Sequence, residues 1–227
     1  MTERTAEEAK RNYVEKMGDA LGAQFHVLWQ EVSWLHIKRT EYVELFGSKP
    51  NRVDLLNRAA PAFFSMIQGV FWEDIVLHVA RLTDSPKSLG NTNLTIRGLP
   101  ELVDPTIKET LQGLVDRALN ETQFCCDWRN RHIAHRDLEL ATNKSPRPLA
   151  AATRKQLNEA LGAIASVLNE VQAHYMDTYT PFEESIGSLG NAVSLLYVLD
   201  DGLRAKARRM ERRLRADFSE EDSPRDL

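Results

Sequence analysis

The sequence predicts an all-α fold, and three observations support that fold class. Apolar residues recur at steps of three and four along most of the chain, which is the spacing of one face of an α-helix. Strands are not indicated, because alternating apolar and polar runs are only a few residues long and no Asn-Gly hairpin signal occurs. Capping residues and Gly/Pro stop signals divide the apolar pattern into successive helices.

The first helical segment begins at a capping box, since Thr5 is followed three residues later by Glu8. A stripe of apolar residues then continues at helical spacing: Met17, Leu21, Phe25, Leu28, Val32 and Leu35. The stripe predicts one long helix that runs to Phe46, where the Gly-Ser-Lys-Pro sequence of residues 47–50 ends it.

The middle of the chain contains two clear helix starts. A short helix is expected over residues 51–58, and Pro61 suits the first turn of the next one. The segment from Pro61 to Leu82 is apolar around much of its circumference, so we expect it to be the central core helix. Asp104 and Pro105 begin another helix, with the aspartate as N-cap and the proline at the first helical position.

The C-terminal third is expected to hold a loop and two helices. Residues 138–149 read as loop because they contain Asn, Ser and two prolines, and an amphipathic helix follows from Leu157 to Val171. Thr180-Pro181 is the expected start of the last helix, which continues into a basic segment. Its apolar stripe comprises Ile186, Leu189, Val193, Leu196 and Leu199.

Composition indicates a soluble globular protein of 227 residues, 42% of them hydrophobic, which is enough for a sizeable core. We expect a helical domain over residues 1–180 and a C-terminal helical extension over residues 181–227, with the basic segment and a frayed tail. The net charge of −4 argues against a generally basic surface for nucleic acid, so any such binding must be local.

The predicted location is the reducing cytosol. The N-terminus lacks the apolar core of a signal peptide, and no run approaches 18 consecutive apolar residues, so no transmembrane helix is expected. Cys125 and Cys126 are adjacent, and neighbouring side chains of a helix point in different directions, which disfavours a disulfide between them.

Residues 128–137 read Trp-Arg-Asn-Arg-His-Ile-Ala-His-Arg-Asp and concentrate cations and imidazoles inside a helical segment. In a regular helix Arg129, His132 and Arg136 share one face. Arg129 and His135 are six residues apart, so they lie roughly 120° apart around the axis and about 9 Å apart along it. For both to contact one phosphate, the arginine must reach round, the helix must distort, or a second copy of the chain must contribute.

These residue types suit cleavage of RNA without a metal. A neutral imidazole can take the proton of a 2′-hydroxyl, and an imidazolium can protonate the 5′-oxygen that leaves. A guanidinium is planar and always charged, so it can hold the phosphate and stabilise the charge of the transition state. One histidine cannot be acid and base in the same step, whereas a symmetric dimer would bring two.

The motif resembles that of a known superfamily. Arg129-Asn130 followed by four residues and then His135 resembles the Arg-x(4–6)-His signature of HEPN domains, and the string over residues 129–137 resembles the AbiU-type abortive-infection branch. Residues 80–84 and 93–96 are similar to upstream segments of that branch. The resemblance covers residues 20 to 175.

The resemblance implies a HEPN-like up-and-down helical bundle with a long C-terminal helix that dimerises, with the motif helices meeting at a cleft. Many members are metal-independent RNases in phage defence or toxin–antitoxin systems, with no cofactor and with an antitoxin or regulatory partner in some cases. Carried over, Arg129 would bind the phosphate, Asn130 would orient it or the histidine, and His135 would be the acid/base. His132 and Arg136 are candidate helpers.

Three other interpretations stay open. The cluster is also explained as a solvated helix end paired with Asp127 and Asp137, or as part of a noncatalytic HEPN-like module that dimerises or binds a nucleotide or partner. A zinc site built from Cys125, Cys126, His132 and His135 lacks a known structural-zinc spacing. The basic segment is either a solvated helix face or an RNA guide built from Arg204, Lys206, Arg208, Arg209, Arg212 and Arg213.

Overall fold

The computed structural model describes residues 5–88, 90–145, 147–184 and 190–217, and over these the all-α prediction is confirmed. Its helices in chain order are α1 (Ala6–Met17), α2 (Asp19–Phe46), α3 (Pro50–Ala59), α4 (Pro61–Leu82), α5 (Pro105–Glu121), α6 (Gln123–Trp128), α7 (Leu138–Ala141), α8 (Arg154–Met176) and α9 (Ala192–Leu214). A π-helix at Arg129–Ile133 follows α6, and 3₁₀ turns form at Ile96–Glu101 and Phe182–Glu184. Two-residue strands, β1 (Lys87–Ser88) and β2 (Asn91–Thr92), pair antiparallel.

The single long N-terminal helix that the apolar stripe predicts is two helices, α1 and α2. The capping box at Thr5 and Glu8 forms with both of its hydrogen bonds. The break lies at Gly18, whose φ of +82° is readily adopted by glycine and rarely by other residues. A Cβ at Gly22 would lie 2.6 Å from the backbone of Tyr13, so glycine is needed there for α1 to pass close to α2. The stripe crosses the break because Met17 at the end of α1 and Leu21 near the start of α2 are both buried.

The last helix starts later than predicted. Thr180 does not cap it, because its N–H donates to Asn169 Oδ1 at 2.9 Å and its carbonyl accepts from Asn169 Nδ2 at 3.1 Å. The hydroxyl of Thr180 accepts from Trp29 Nε1 at 3.1 Å, so its polar groups bind α8 and α2. Asn191 is the actual N-cap of α9, with its side chain accepting from Ser194 N–H. The predicted stripe residues Ile186 and Leu189 lie outside the described part of the chain.

The predicted loop after the Arg/His cluster contains one short helix. Asp137 caps α7, with its side chain accepting from the backbone N–H of Leu140 at 2.9 Å. The loop prediction is therefore wrong for Leu138–Ala141. Four residues form only one helical turn, and so short a helix leaves no apolar stripe in the sequence by which it could be recognised.

Contacts divide the described chain into two units that do not follow chain order. The first comprises the described residues within Met1–Arg39 and Phe71–Ile186, and in it α5 packs along α8. Its fully buried side chains include Phe25, Leu28, Ile75, Ile96, Leu111 and Ile164.

The second unit comprises the described residues within Thr40–Val70 and Gly187–Leu227, and in it α3 packs on α9. Its core consists of Leu45, Leu55, Leu56, Phe64, Ala192 and Leu196. The Arg/His cluster belongs to the first unit.

Helix α4 is long and apolar enough to meet the length and composition criteria for a membrane span, although the sequence analysis expected none. An 18-residue stretch of this helix has a mean hydropathy of 1.2, and 28% of that stretch is buried. Core helices of soluble proteins meet the same criteria, so one such helix is weak evidence. One carboxylate of α4 also forms an ion pair, because Asp74 Oδ2 lies 2.6 Å from Lys38 Nζ, and a second, Glu73 Oε1, lies 3.4 Å from His132 Nε2.

His36 on α2 links the stability of the fold to pH. Burial, reinforced by the nearby Arg39 charge, lowers its pKa from 6.5 to about 4. The unfolded chain takes up a proton at about pH 6.5 while the folded chain does not, so this contribution to stability is present above pH 6.5 and is lost as the pH falls towards 4. We expect the free energy of unfolding to drop by about 3 kcal/mol over that interval.

The measurement for His36 is urea unfolding at a series of pH values for the wild type and for His36→Gln. The variant should show a flatter dependence between pH 6.5 and 4, because it has no imidazole to protonate. His174→Gln is the matched control, since His174 is exposed at the end of α8. An equally steep dependence in His36→Gln would contradict the assignment.

Candidate functional site

The Arg/His cluster lies where α6 changes its hydrogen bonding. Residues Arg129–Ile133 form a π-helix, in which the N–H of Ala134 donates to the carbonyl of Arg129 five residues earlier, at 2.9 Å. The chain then leaves the helix, and His135 lies in an exposed bend. The helix is therefore distorted between Arg129 and His135. Such a distortion is one of the three ways in which both side chains could contact one phosphate. Such π-turns are rare and often occur at functional sites.

The Arg129 side chain is held on two sides. Its Nη1 donates to Asp84 Oδ2 at 2.7 Å, and its Nε donates to Asn130 Oδ1 at 3.0 Å. Asp84 is itself fixed, since its Oδ1 accepts from the N–H of Ser85 at 3.0 Å. A guanidinium has five N–H donors, so three remain for another acceptor after these two bonds. The Arg129 side chain is 22% exposed.

The remaining predicted site residues differ in their surroundings. His132 contacts Glu73 of α4, and its ring meets the indole of Trp128 edge-on at 5.3 Å between centroids. His135 and Arg136 are exposed and form no hydrogen bond or ion pair with any residue that the structure describes. The structure thus brings Arg129 and Asn130 into contact, places His132 against α4, and leaves His135 open to solvent.

Arg131 has a structural role that its neighbours lack. Its Nη2 donates to the carbonyl of Arg147 at 2.7 Å and to Ser145 Oγ at 3.1 Å, and its Nη1 lies 3.5 Å from both carboxylate oxygens of Asp127. Asp127 also accepts from the N–H of Ala150 at 2.9 Å. Pairing with Asp127, the simpler interpretation of the cluster, therefore describes Arg131, whereas Arg129 is paired with Asp84.

Substituting Arg131 should affect stability, and substituting Arg136 should not. Arg131 is 12% exposed, and Arg131→Met removes one donor from each of the carbonyls of Arg147 and Pro148, while Asp127 keeps the Arg147 guanidinium at 2.8 Å and the N–H of Ala150. We expect the free energy of unfolding to fall by about 1.5 kcal/mol. Arg136→Met, the control, should change it by less than about 0.5 kcal/mol. Equal effects in urea unfolding would refute this distinction.

The two cysteines are free thiols beneath the site. Burial raises the pKa of the Cys125 thiol strongly, and burial also raises that of Cys126, although the nearby Arg129 charge acts in the opposite direction. Both thiols therefore stay protonated near neutral pH and are poor nucleophiles. Within the described residues, no three side chains of His, Cys, Asp or Glu are grouped closely enough to hold a metal ion, and this covers the four zinc candidates.

The predicted basic residues lie on α9, in the second unit. Arg204 is paired with Asp200 one turn earlier, at 2.8 Å between Nε and Oδ2. Lys206 and Arg208 are exposed, whereas Arg209 and Arg212 are partly buried, and Arg213 is exposed near the end of the helix. Their arrangement fits a solvated face as well as an RNA guide, so position on α9 alone does not separate the two.

Sequence reasoning missed the acidic residues that orient the cluster. Glu73, in the middle of α4, contacts His132, and Asp84, two residues after α4 ends, contacts Arg129. The one available signal was the similarity of residues 80–84 to a segment of the AbiU-type branch, which Asp84 ends.

These features define an all-α protein with an Arg-Asn-x(4)-His motif at a distorted helix end, which is a HEPN-type domain. The sequence model of the AbiU2 family (HEPN_AbiU2) matches residues 18–193. The chain therefore belongs to the AbiU2 family of HEPN domains. Neither a search of curated proteins nor a search of solved structures found a significant match.

Proposed function

We propose that this protein is a metal-independent endoribonuclease of the HEPN type that acts in phage defence or in a toxin–antitoxin system. The observation that carries the proposal is the state of Arg129. Its guanidinium is oriented by Asp84 and Asn130, retains three N–H donors, and precedes the exposed His135 across a π-helix. Membership of the AbiU2 family supports a role in abortive infection.

The proposed reaction is transesterification followed by release. Neutral His135 takes the proton of the 2′-hydroxyl, and the 2′-oxygen forms a bond to the adjacent phosphorus. The bond from phosphorus to the 5′-oxygen breaks, and an imidazolium protonates that oxygen. The products carry a 2′,3′-cyclic phosphate and a 5′-hydroxyl. Arg129 binds the phosphate oxygens and stabilises the additional negative charge, with Asn130 fixing its orientation.

The proposal includes a homodimer, because the base and the acid must be different imidazoles. Each chain carries one His135, and a two-fold dimer brings a second copy to the same cleft. Large exposed apolar side chains on α2 and α4 support self-association: Val27, Trp34, Phe63, Met66 and Val70. An antitoxin or regulatory protein that covers the cleft is a further proposed partner.

The test is incubation of purified protein with single-stranded RNA in EDTA, with mass spectrometry of the product ends. Cleavage that leaves 2′,3′-cyclic phosphates supports the proposal, and metal-dependent cleavage or 3′-hydroxyl ends contradict it. No cleavage, together with RNA binding that His135→Ala does not change, would instead favour the noncatalytic module that the exposed apolar side chains also suit.

Mixing wild-type chains with His135→Ala chains tests the dimer. After subunit exchange at equal amounts, activity should fall to about a quarter if two histidines are required, since only wild-type dimers stay active. It should fall to about half if each chain acts alone. Size-exclusion chromatography with light scattering gives the oligomeric state of the same samples.

A further inference from the structure

A groove in the second unit, between α3 and α9, concentrates positive charge in a chain whose net charge is −4. It has a volume of about 350 Å³. Its charged lining residues are Lys49, Arg52, Arg58, Arg204 and one acid, Asp200. The lining thus carries a net charge of +3, counting four cations and one carboxylate. This is the local basic surface that nucleic-acid binding by an acidic protein requires.

The cations of the groove fall into two kinds. Arg52 is fixed by the side chain and carbonyl of Glu44, and Arg204 is fixed by Asp200 at 2.8 Å. Lys49 and Arg58 are exposed, and their side chains form no hydrogen bond or ion pair with any described residue. Two cations are therefore oriented, and two are free to neutralise the charges of a ligand.

An aromatic ring lies beside these charges. Tyr197 of α9 lines the same groove and is 71% exposed, although burying a tyrosine ring normally stabilises a fold. A positively charged groove with an accessible aromatic ring is how proteins bind single-stranded nucleic acid, since the cations contact phosphates and bases stack on the ring. The volume is sufficient for one nucleotide unit.

We propose that the groove between α3 and α9 binds single-stranded nucleic acid, with Lys49 and Arg58 contacting phosphates and Tyr197 stacking on a base. The groove shares no residue with the Arg129 and His135 cluster, and the proposal does not depend on cleavage there. Of the six basic residues of α9 that were candidates for RNA binding, Arg204 is the one that lines the groove. Lys206 and Arg208 then belong to a solvated face.

The experiment measures binding of a fluorescent single-stranded RNA to the full chain carrying His135→Ala, in EDTA, at several salt concentrations. That background keeps the RNA intact whether or not the wild type cleaves it. Tyr197→Ala should weaken binding about tenfold, whereas Tyr197→Phe keeps the ring and should bind normally. Lys49→Ser with Arg58→Ser should reduce the slope of log affinity against log salt by about 1.4, from two lost phosphate contacts.

The matched control is Lys206→Ser with Arg208→Ser, which removes the same charge from α9 at positions that do not line the groove. An equal reduction in slope for this pair would overturn the groove in favour of a diffuse basic face. An unchanged slope in Lys49→Ser with Arg58→Ser would overturn it as well. Single-stranded DNA of the same sequence separates the two sources of the ligand, and binding of duplex RNA as tightly as the single strand would contradict the proposal.

Discussion

Replacing His135 with alanine is expected to reduce RNA cleavage between about 100-fold and 10,000-fold while RNA affinity and the thermal midpoint stay unchanged. The reason is that the imidazole is exposed and forms no hydrogen bond or ion pair within the described residues. The substitution therefore removes a proton carrier without removing a contact that stabilises the fold. The measurement is kcat/KM on a defined RNA in EDTA, together with a circular dichroism melt.

Two other histidines provide controls for His135→Ala. His174→Ala should cleave at the wild-type rate, because His174 contacts the ring of Tyr175 at the end of α8, away from the cluster in sequence. His132→Ala removes the contact with Glu73 and should cause a smaller loss than His135→Ala. Wild-type activity in His135→Ala would eliminate the proposed acid/base role.

Much of the helical order was predictable because the signals are local. The capping box at Thr5 and the N-cap at Asp104 form as predicted, with Asp104 Oδ1 accepting from the N–H of Thr106 at 2.9 Å. The break at Gly18 was not predictable from periodicity, because the apolar stripe continues through it. The predicted start of the last helix was wrong for a related reason. Thr180 resembles an N-cap in sequence, but it forms tertiary hydrogen bonds with Asn169.

The candidate site was predictable as a set of residue types but not as a geometry. Helical spacing predicts that Arg129 and His135 cannot share a face of a regular helix. The structure has a π-helix between them, so the helix is not regular there. No residue pattern predicts that a backbone N–H donates to the carbonyl five residues earlier instead of four. Arg129 and Arg131 are nearly adjacent and chemically identical, so only the structure separates the arginine paired with Asp84 from the one that binds Ser145 and Arg147.

The second large effect is expected from Arg129. Arg129→Ala should lower kcat by about 100-fold to 1,000-fold, because it removes donors aimed at charge that develops in the transition state. Arg129→Lys should restore little of this, since an ammonium cannot bind Asp84, Asn130 and a phosphate with a fixed fork. Arg81→Ala is the control, because Arg81 is 61% exposed and pairs only weakly with Glu31, at 3.3 Å.

Asp84 makes the Arg129 prediction sharper, because in the proposed reaction its carboxylate acts only through the guanidinium that it binds. Asp84→Asn preserves the shape of the side chain but removes its charge, so the fork of Arg129 should lose its fixed direction and kcat should fall about tenfold. In the double variant Asp84→Asn with Arg129→Ala, the loss should equal that of Arg129→Ala alone, since there is no longer a guanidinium to orient. Multiplicative losses would mean that Asp84 acts independently of Arg129, and faster cleavage by Asp84→Asn would mean that its carboxylate competes with the phosphate.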